Sequence, residues 1–178
     1  SWVWMGLEGE SSQYAKLKGI DTRPLVKKLQ SNGIRVLGST IIGLEDHCPD
    51  NIDKVIDYAV SHDTDFHQFM LYTALAGTPL YNDLKIQGLI KDESEVPTSD
   101  HHGQYRFNFW HPLIRDGQET EYLLRAFNRD FAVNGPSVVR AIATTLKGWR
   151  QHRDHPDPRV RARFTRESKD LLKHGVPM

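Results

Sequence analysis

Residues 35–44 read RVLGSTIIGL, a largely apolar and β-branched run that is typical of a strand covered on both faces of a sheet. Two similar runs flank it along the chain, WVWMGLE at residues 2–8 and FHQFMLYT at residues 66–73. The centres of the three runs lie roughly 30 residues apart, which is the length of a βα unit with short connections. Strands that alternate with helices at this spacing predict an α/β fold with a parallel sheet.

Helix signals fill the gaps between the three predicted strands. In the first gap, residues 21–22 supply a cap, Pro24 suits the first turn and Gly33 stands where a left-handed helix end is wanted. In the second gap, Asp50 is the expected cap of a helix with an apolar face. After the third strand, residues 77–79 (GTP) combine a turn, a cap and a first-turn proline, so we expect a third helix there.

The rest of the chain has a different pattern, which divides the sequence into three predicted segments. Residues 1–90 hold the βα units, and residues 91–118 form a polar linker. Within that linker the alternating run at 105–110 (YRFNFW) predicts an extended segment or an edge strand. Residues 119–178 show three amphipathic stretches and predict a helical accessory region.

The composition excludes several classes of protein. The chain has 178 residues, with 23 basic and 23 acidic side chains and a single cysteine, Cys48. A balanced charge argues against bulk nucleic-acid binding, and a lone cysteine excludes an intrachain disulfide framework. No apolar run is long enough for a membrane span, and there is no secretory leader, so we expect a cytoplasmic protein.

The balanced total hides two charged regions. Residues 45–65 carry a net charge of −6, and residues 147–169 carry a net charge of +5. A charged run of this kind is usually a solvated helix face. The alternative is a non-catalytic α/β interaction module whose basic helical tail meets an acidic partner.

The histidines do not form a metal-ligating pattern. His67, His101, His102 and His111 show no spacing that puts two imidazoles on one face of one element. We therefore expect no metal site, and we interpret His67 as a satisfied core or barrel-lining group.

Polar or glycine-containing loops follow each predicted strand. In parallel βα folds the ligand binds at the carboxyl ends of the strands, where these loops lie. Gly43 and Gly77 would let the backbone approach a ligand closely, and Glu8 would accept hydrogen bonds from a ribose diol or an amino group. The three loops together predict one ligand site, although a phosphate ligand in another kind of barrel enzyme would use the same strand ends.

The three strand ends also resemble a known family. The stretches WMGLE at 4–8, GSTIIGL at 38–44 and LYTALAGTPLY at 71–81 are similar, in order and spacing, to the second half of a radical SAM barrel. The resemblance extends to the subset of that family with an N-terminal cobalamin-binding domain, and it covers about residues 2–90. It implies a partial, half TIM-type barrel of about three parallel βα units, followed by the helical C-terminal region.

The resemblance implies six positions that bind S-adenosylmethionine: Glu8, Ser39, Ile41, Gly43, Tyr72 and Thr73. The first matches an acid near the ribose or methionyl end of the cofactor. The next three match a motif that flanks the adenosyl group, and the last two border the adenine. Ser39 stands where the family usually has glycine, and Glu45 and His47 replace the proline and glutamate that usually follow Gly43.

The cysteine count sets a limit on what the chain does alone. Radical SAM chemistry needs three cysteines to hold a 4Fe–4S cluster, and Cys48 follows the GSTIIGL motif at 38–44, away from the family's cluster position. We therefore expect the C-terminal half of a longer enzyme, cut within its first strand, inactive alone and with no cofactor bound. The parent would be a radical SAM oxidoreductase or a cobalamin-dependent methyltransferase acting on a small molecule. Its cofactors would be S-adenosylmethionine, a 4Fe–4S cluster and, in this subset, cobalamin.

A half barrel leaves two unpaired sheet edges, at the first and third strands. Exposed edges favour pairing with another strand. We therefore expect the edges to be covered by residues 105–110 or by a second copy of the chain. The missing N-terminal half of the parent chain is an expected partner.

Overall fold

A computed structural model describes residues 1–7 and 21–174 of the chain. Three strands form a parallel sheet in the order β1-β2-β3: β1 (Trp2–Gly6), β2 (Arg35–Ile42) and β3 (Phe66–Leu71). One helix follows each strand along the chain: α1 (Arg23–Ser31) after β1, α2 (Ile52–Val60) after β2 and α3 (Pro79–Ile86) after β3. Three longer helices complete the described chain: α4 (Gln118–Asn134), α5 (Ser137–His152) and α6 (Pro158–His174). The α/β class, the strand order and the C-terminal helices are therefore confirmed.

The strands are covered more fully on one face than on the other. Along β2, Val36, Gly38, Thr40 and Ile42 are buried, and the residues between them are only half-buried. β3 shows the same alternation over its six residues. β2 is therefore covered on both faces, fully on one and partly on the other.

β1 is the most exposed strand of the sheet. Trp2 is 48% exposed and Trp4 is 66% exposed. The Trp2 ring meets Phe66 edge to face at 5.2 Å between ring centroids, and the Arg35 guanidinium lies 4.8 Å from the Trp2 ring centre. These contacts cover part of the indole and leave the outer part of β1 open.

The helix boundaries follow most of the predicted signals. Pro24 lies in the first turn of α1, and Gly33 follows the helix with a φ of +73°. The Thr78 hydroxyl accepts a hydrogen bond from the Tyr81 N–H at the start of α3 (3.3 Å). α2 begins two residues after the predicted cap, Asp50, and the Asn51 side chain accepts from the Cys48 N–H instead (2.9 Å).

The predicted linker at 91–118 is packed rather than loose. Asn108 is buried, and its side chain bonds both the N–H and the carbonyl of Ala74, at 3.0 and 2.7 Å. Phe109 makes an isolated antiparallel bridge with Ile90. Residues 105–110 therefore do not extend the sheet, because Phe107 and Phe109 bury their rings elsewhere.

Gly103, rather than a residue of the 105–110 segment, makes a backbone hydrogen bond with the end of β3. The Leu71 N–H donates to the Gly103 carbonyl (2.6 Å), so a turn rather than a strand satisfies this end of β3. Pairing of an edge with a second copy of the chain stays a prediction.

The chain divides into two compact units that interleave along the sequence. Unit 1 holds Ser1–Ser39, Ala59–Gln68 and Asp130–Met178, and unit 2 holds Thr40–Tyr58 and Phe69–Arg129. In unit 1, a Cβ added to Gly33 would lie 2.5 Å from the Cα of Gly148, so the two glycines let α5 approach the end of α1. The division into residues 1–90, 91–118 and 119–178, which was predicted from the sequence, stays a prediction.

Within the described residues, no helix is both long enough and apolar enough to cross a membrane.

Candidate functional site

The predicted cofactor-binding residues fall into three groups in the structure. Glu8 lies outside the described residues. Ser39 belongs to unit 1, is half-buried, and its carbonyl accepts a hydrogen bond from the Leu7 N–H (2.8 Å). Ile41, at a half-buried position of β2, belongs to unit 2 together with the remaining three residues, Gly43, Tyr72 and Thr73.

Unit 2 brings the ends of β2 and β3 together. The Tyr72 N–H donates to the Ile42 carbonyl (2.8 Å), so Tyr72 lies next to the last residue of β2. The Tyr72 hydroxyl donates to a Glu45 carboxylate oxygen (2.8 Å). The Thr73 hydroxyl donates to the Leu71 carbonyl (3.1 Å), which holds the chain as it leaves β3. Polar groups that follow two different strands are thus in direct contact.

Gly43 has a φ of +86°, a conformation that favours glycine. The position that a Cβ would occupy lies 2.2 Å from the Phe107 ring. Phe107 therefore fills the space beside Gly43, and the approach of a ligand to this backbone stays a prediction. Gly77, also with a positive φ, has open space where a Cβ would stand.

Two histidines hold the backbone that follows β2. His47 accepts hydrogen bonds at Nδ1 from the N–H groups of Gly43 (3.0 Å) and Leu44 (3.3 Å). His111 accepts at Nδ1 from the N–H groups of residues 113 and 114, and its Nε2 lies 3.2 Å from the Leu44 carbonyl. Since a backbone N–H can only donate, Nδ1 of each ring is the acceptor, and Nε2 of His111 carries the proton given to Leu44.

Burial lowers the pKa of both His47 and His111 below the ordinary histidine value. A lowered pKa keeps both rings neutral near pH 7, which is the state that their hydrogen bonds require. Phe107 stacks on the His111 ring at 5.2 Å between centroids. The two imidazoles therefore act as fixed supports of the Gly43–Leu44 backbone.

A cavity of about 330 Å³ opens within unit 2. Glu45, Tyr72, Phe109 and His111 line one part of it, and Leu80, Asp83 and Leu84 of α3 line another. The Tyr72 and Phe109 rings meet edge to face, with centroids 6.1 Å apart. The cavity thus borders the loops that follow β2 and β3, where the βα rule places ligands.

Sequence reasoning missed the parts of unit 2 that support this cavity. Glu119, in the first turn of α4, is 1% exposed, and one of its carboxylate oxygens accepts from the Phe107 N–H (3.4 Å). Phe107 and Asn108 lie in the segment predicted as a linker. The alternation of aromatic residues at 105–110 was the available signal, because it indicated that one side of this segment is buried.

Unit 1 contains a buried ion pair. The Arg140 guanidinium donates two hydrogen bonds to the Asp130 carboxylate, at 3.0 and 2.6 Å, and both side chains are less than 10% exposed. Asn134 donates to the same carboxylate (2.9 Å) and to the Val60 carbonyl (2.9 Å). His67 is buried in the same unit, and burial lowers its pKa to about 4.

Much of the charge in the basic C-terminal region is paired locally. Arg159 donates to Asp157 (3.0 Å), and Arg163 donates to Glu167 one helical turn away (3.1 Å). Arg161 donates to the carbonyls of His155 and Pro156. These contacts favour a solvated helix face over a basic surface reserved for a partner.

Among residues 1–7 and 21–174, no three His, Cys, Asp or Glu side chains are grouped so that they would hold a metal ion. Cys48 is a half-buried free thiol, and it is the single cysteine of the sequence. A 4Fe–4S cluster of the radical SAM type needs three thiolates, so the residues of this chain do not fit such a cluster.

Comparison with protein-family models and with curated proteins finds no match to this chain. The resemblance to radical SAM enzymes therefore rests on the three strand-end motifs alone.

Proposed function

We propose that this chain supplies the carboxyl-terminal part of a radical SAM barrel, and with it one side of a binding site for S-adenosylmethionine. The observation that carries the proposal is the neighbouring order of the three parallel strands, β1-β2-β3. Consecutive strands of a βα barrel lie side by side in chain order, and their ligands bind at the carboxyl ends. The three motifs that resemble the family stand at the corresponding ends in this sequence.

Each strand end has a part in the proposed site. Ile41 and Ser39 flank the adenosyl group from β2, and Thr73 and the Tyr72 backbone border the adenine from the end of β3. The contact between Tyr72 and Glu45 supports this assignment, because it joins the loops of two strands at one edge. Glu8 completes the proposed set at the ribose or methionyl end.

The chemistry of the complete enzyme needs groups that this chain does not hold. The 4Fe–4S cluster would be bound by cysteines outside this sequence, and a cobalamin would be bound by the accessory domain typical of the subset. The substrate is proposed to be a small molecule and the enzyme to be cytoplasmic. No reaction step is assigned to residues of this chain.

A phosphate ligand at the same strand ends is the competing candidate. The cavity in unit 2 argues against it, since Glu45 and Asp83 place carboxylates on the lining and the ten lining residues include no lysine or arginine. Phosphate recognition uses basic side chains or helix N-termini, and a carboxylate repels the anion.

The proposal is tested by calorimetry with S-adenosylmethionine on the protein made from its complete reading frame. We expect saturable heat, and we expect a CxxxCxxC motif in the same reading frame. Absence of heat at millimolar S-adenosylmethionine would count against the assignment, as would a reading frame without the three cysteines.

A pair of matched variants makes the binding test specific to the site. Ile41→Ala removes an apolar contact to the adenosyl group and is expected to weaken binding by about fivefold. Ile86→Ala makes the same change at a position in α3 that is 86% exposed, and it is expected to leave binding unchanged. Equal affinities for the two variants would remove Ile41 from the site.

A further inference from the structure

The cavity in unit 2 combines apolar lining with acidic groups. Its volume of about 330 Å³ lies at the lower end of the range for small-molecule sites. Leu80 and Leu84 of α3 and the ring of Phe109 provide apolar lining. This surface favours a ligand with a compact apolar or aromatic body.

The charge of the lining has one sign. The two acidic side chains of the lining come from different segments: Glu45 lies in the loop after β2, and Asp83 lies in helix α3. The ten described residues that line the cavity include no lysine or arginine, and the pKa of His111 is lowered by burial, which keeps its ring neutral. The cavity therefore attracts a cation and repels an anion.

One carboxylate is held in place by its neighbour. The Tyr72 hydroxyl donates to one oxygen of Glu45 at 2.8 Å, which fixes the carboxylate beside the aromatic rings. The Tyr72 and Phe109 rings, which meet edge to face, also line the cavity and add to its apolar surface. Fixed groups of this kind lower the entropy cost of binding.

We propose that this cavity binds an organic amine, a protonated primary or secondary amine with an apolar body, between Glu45 and Asp83. The ammonium group meets the carboxylates, and the body of the ligand lies against the leucine and aromatic side chains. The inference depends on the lining of the cavity alone, so the result of the S-adenosylmethionine titration does not affect it.

The test titrates the protein made from its complete reading frame with three phenyl compounds that differ in charge. They are the cationic 2-phenylethylamine, the neutral 2-phenylethanol and the anionic 3-phenylpropionate. Binding of each compound is measured by calorimetry and by amide chemical shifts. We expect the amine to bind with a dissociation constant on the order of millimolar, and about tenfold more tightly than the anion. The shifts should be centred on the Tyr72 and α3 amides.

Two substitutions remove the charges and preserve the shape of the cavity. Glu45→Gln keeps an oxygen that accepts from Tyr72, and Asp83→Asn alters an exposed position of α3. Each is expected to weaken amine binding by about threefold, and the double variant by about tenfold, with no change for the alcohol. Glu121→Gln removes one negative charge from an exposed position outside the cavity and is the matched control.

Three results would overturn the proposal. The first is binding of 3-phenylpropionate as tightly as the amine. The second is unchanged amine affinity in the Glu45→Gln and Asp83→Asn double variant. The third is no binding of any probe at tens of millimolar. If the amine binds and S-adenosylmethionine does not, the cavity assignment stands and the radical SAM assignment fails.

Discussion

The buried ion pair of unit 1 and the two cavity acids of unit 2 differ both in burial and in pairing. In unit 1, Asp130 and Arg140 are both under 10% exposed and form a pair with two hydrogen bonds, with Asn134 as a third partner. In unit 2, Glu45 and Asp83 are exposed and border a cavity whose ten lining residues include no lysine or arginine. A charge that is buried and paired supports the fold, whereas an accessible charge without a counterion in its cavity is available to a ligand.

The difference matters because burial sets how much a charge contributes to stability. Removing one partner of a buried pair leaves a charge without compensation, and the cost is several times that of breaking an exposed pair. We therefore expect substitutions in the ion pair of unit 1 to unfold the protein, and substitutions of the cavity acids to change binding alone.

The largest expected effect is that of Arg140→Ala. This variant leaves the Asp130 carboxylate buried without its guanidinium, and we expect the free energy of unfolding to fall by about 3–5 kcal/mol. The measurement is urea denaturation followed by circular dichroism. The matched control is Arg129→Ala, which breaks the exposed pair with Asp57 (3.4 Å) and should cost less than about 1 kcal/mol. Equal losses in the two variants would show that the buried pair does not support the fold.

The second effect is a loss of stability in acid that comes from His67. Its pKa in the folded protein is about 4, below the ordinary value of about 6.5 that it has when unfolded. Between these values the unfolded state binds more protons, so the free energy of unfolding falls as the pH falls through this window, by about 3 kcal/mol. Urea denaturation at several pH values checks this slope.

The variant His67→Gln tests how much of the pH dependence of stability comes from His67 in unit 1. We expect it to flatten the pH dependence without abolishing it, because burial also lowers the pKa of His47 and His111 in unit 2. The ring proton signals of His67 provide a second readout in the unchanged protein. A titration of those signals near pH 6.5 would contradict the expected burial of the ring.

The third effect separates two glycines of unit 2. Gly43→Ala places a Cβ against the Phe107 ring at a positive φ, and we expect a loss of about 2–3 kcal/mol. Gly77→Ala has the same backbone strain and open space around the Cβ, so its loss should be about 1 kcal/mol. Thermal unfolding of both variants measures the difference, and equal losses would mean that Phe107 moves aside without cost.

The smallest effect is expected at the cavity acids. Glu45→Gln and Asp83→Asn should each change the free energy of unfolding by less than about 0.5 kcal/mol, since both side chains are exposed. Urea denaturation of the two variants tests this. A loss of 2 kcal/mol or more, roughly the size expected for a core change, would make these acids part of the fold and remove the contrast between the units.

The order of the elements was readable from the sequence because it depends on local signals. Pro24, Gly33 and Thr78 are short-range signals, and the structure has each where the pattern predicts it. At the start of α2 the structure shows a different contact from the predicted Asp50 cap, because the Asn51 side chain accepts from the Cys48 N–H, which precedes the helix.

The support of the cavity was not readable in the same way. His111 reaches the Leu44 carbonyl across 67 residues of sequence, and Phe107 fills the space beside Gly43 across a similar separation. Such contacts depend on how the loops pack and leave no periodic pattern in the sequence. The rule that ligands bind at the carboxyl ends of parallel strands pointed to loops that border this cavity, but it did not identify Asp83 of α3 or His111 as part of the lining.

The most direct test of the proposed function is an amide chemical-shift map with S-adenosylmethionine, recorded on the protein made from its complete reading frame. The account predicts saturable shifts at Ile41, Gly43 and Thr73, with the Asp130–Arg140 region of unit 1 unchanged. Shifts confined to unit 1, or no shifts at millimolar cofactor, would contradict the assignment of the strand ends as a cofactor site.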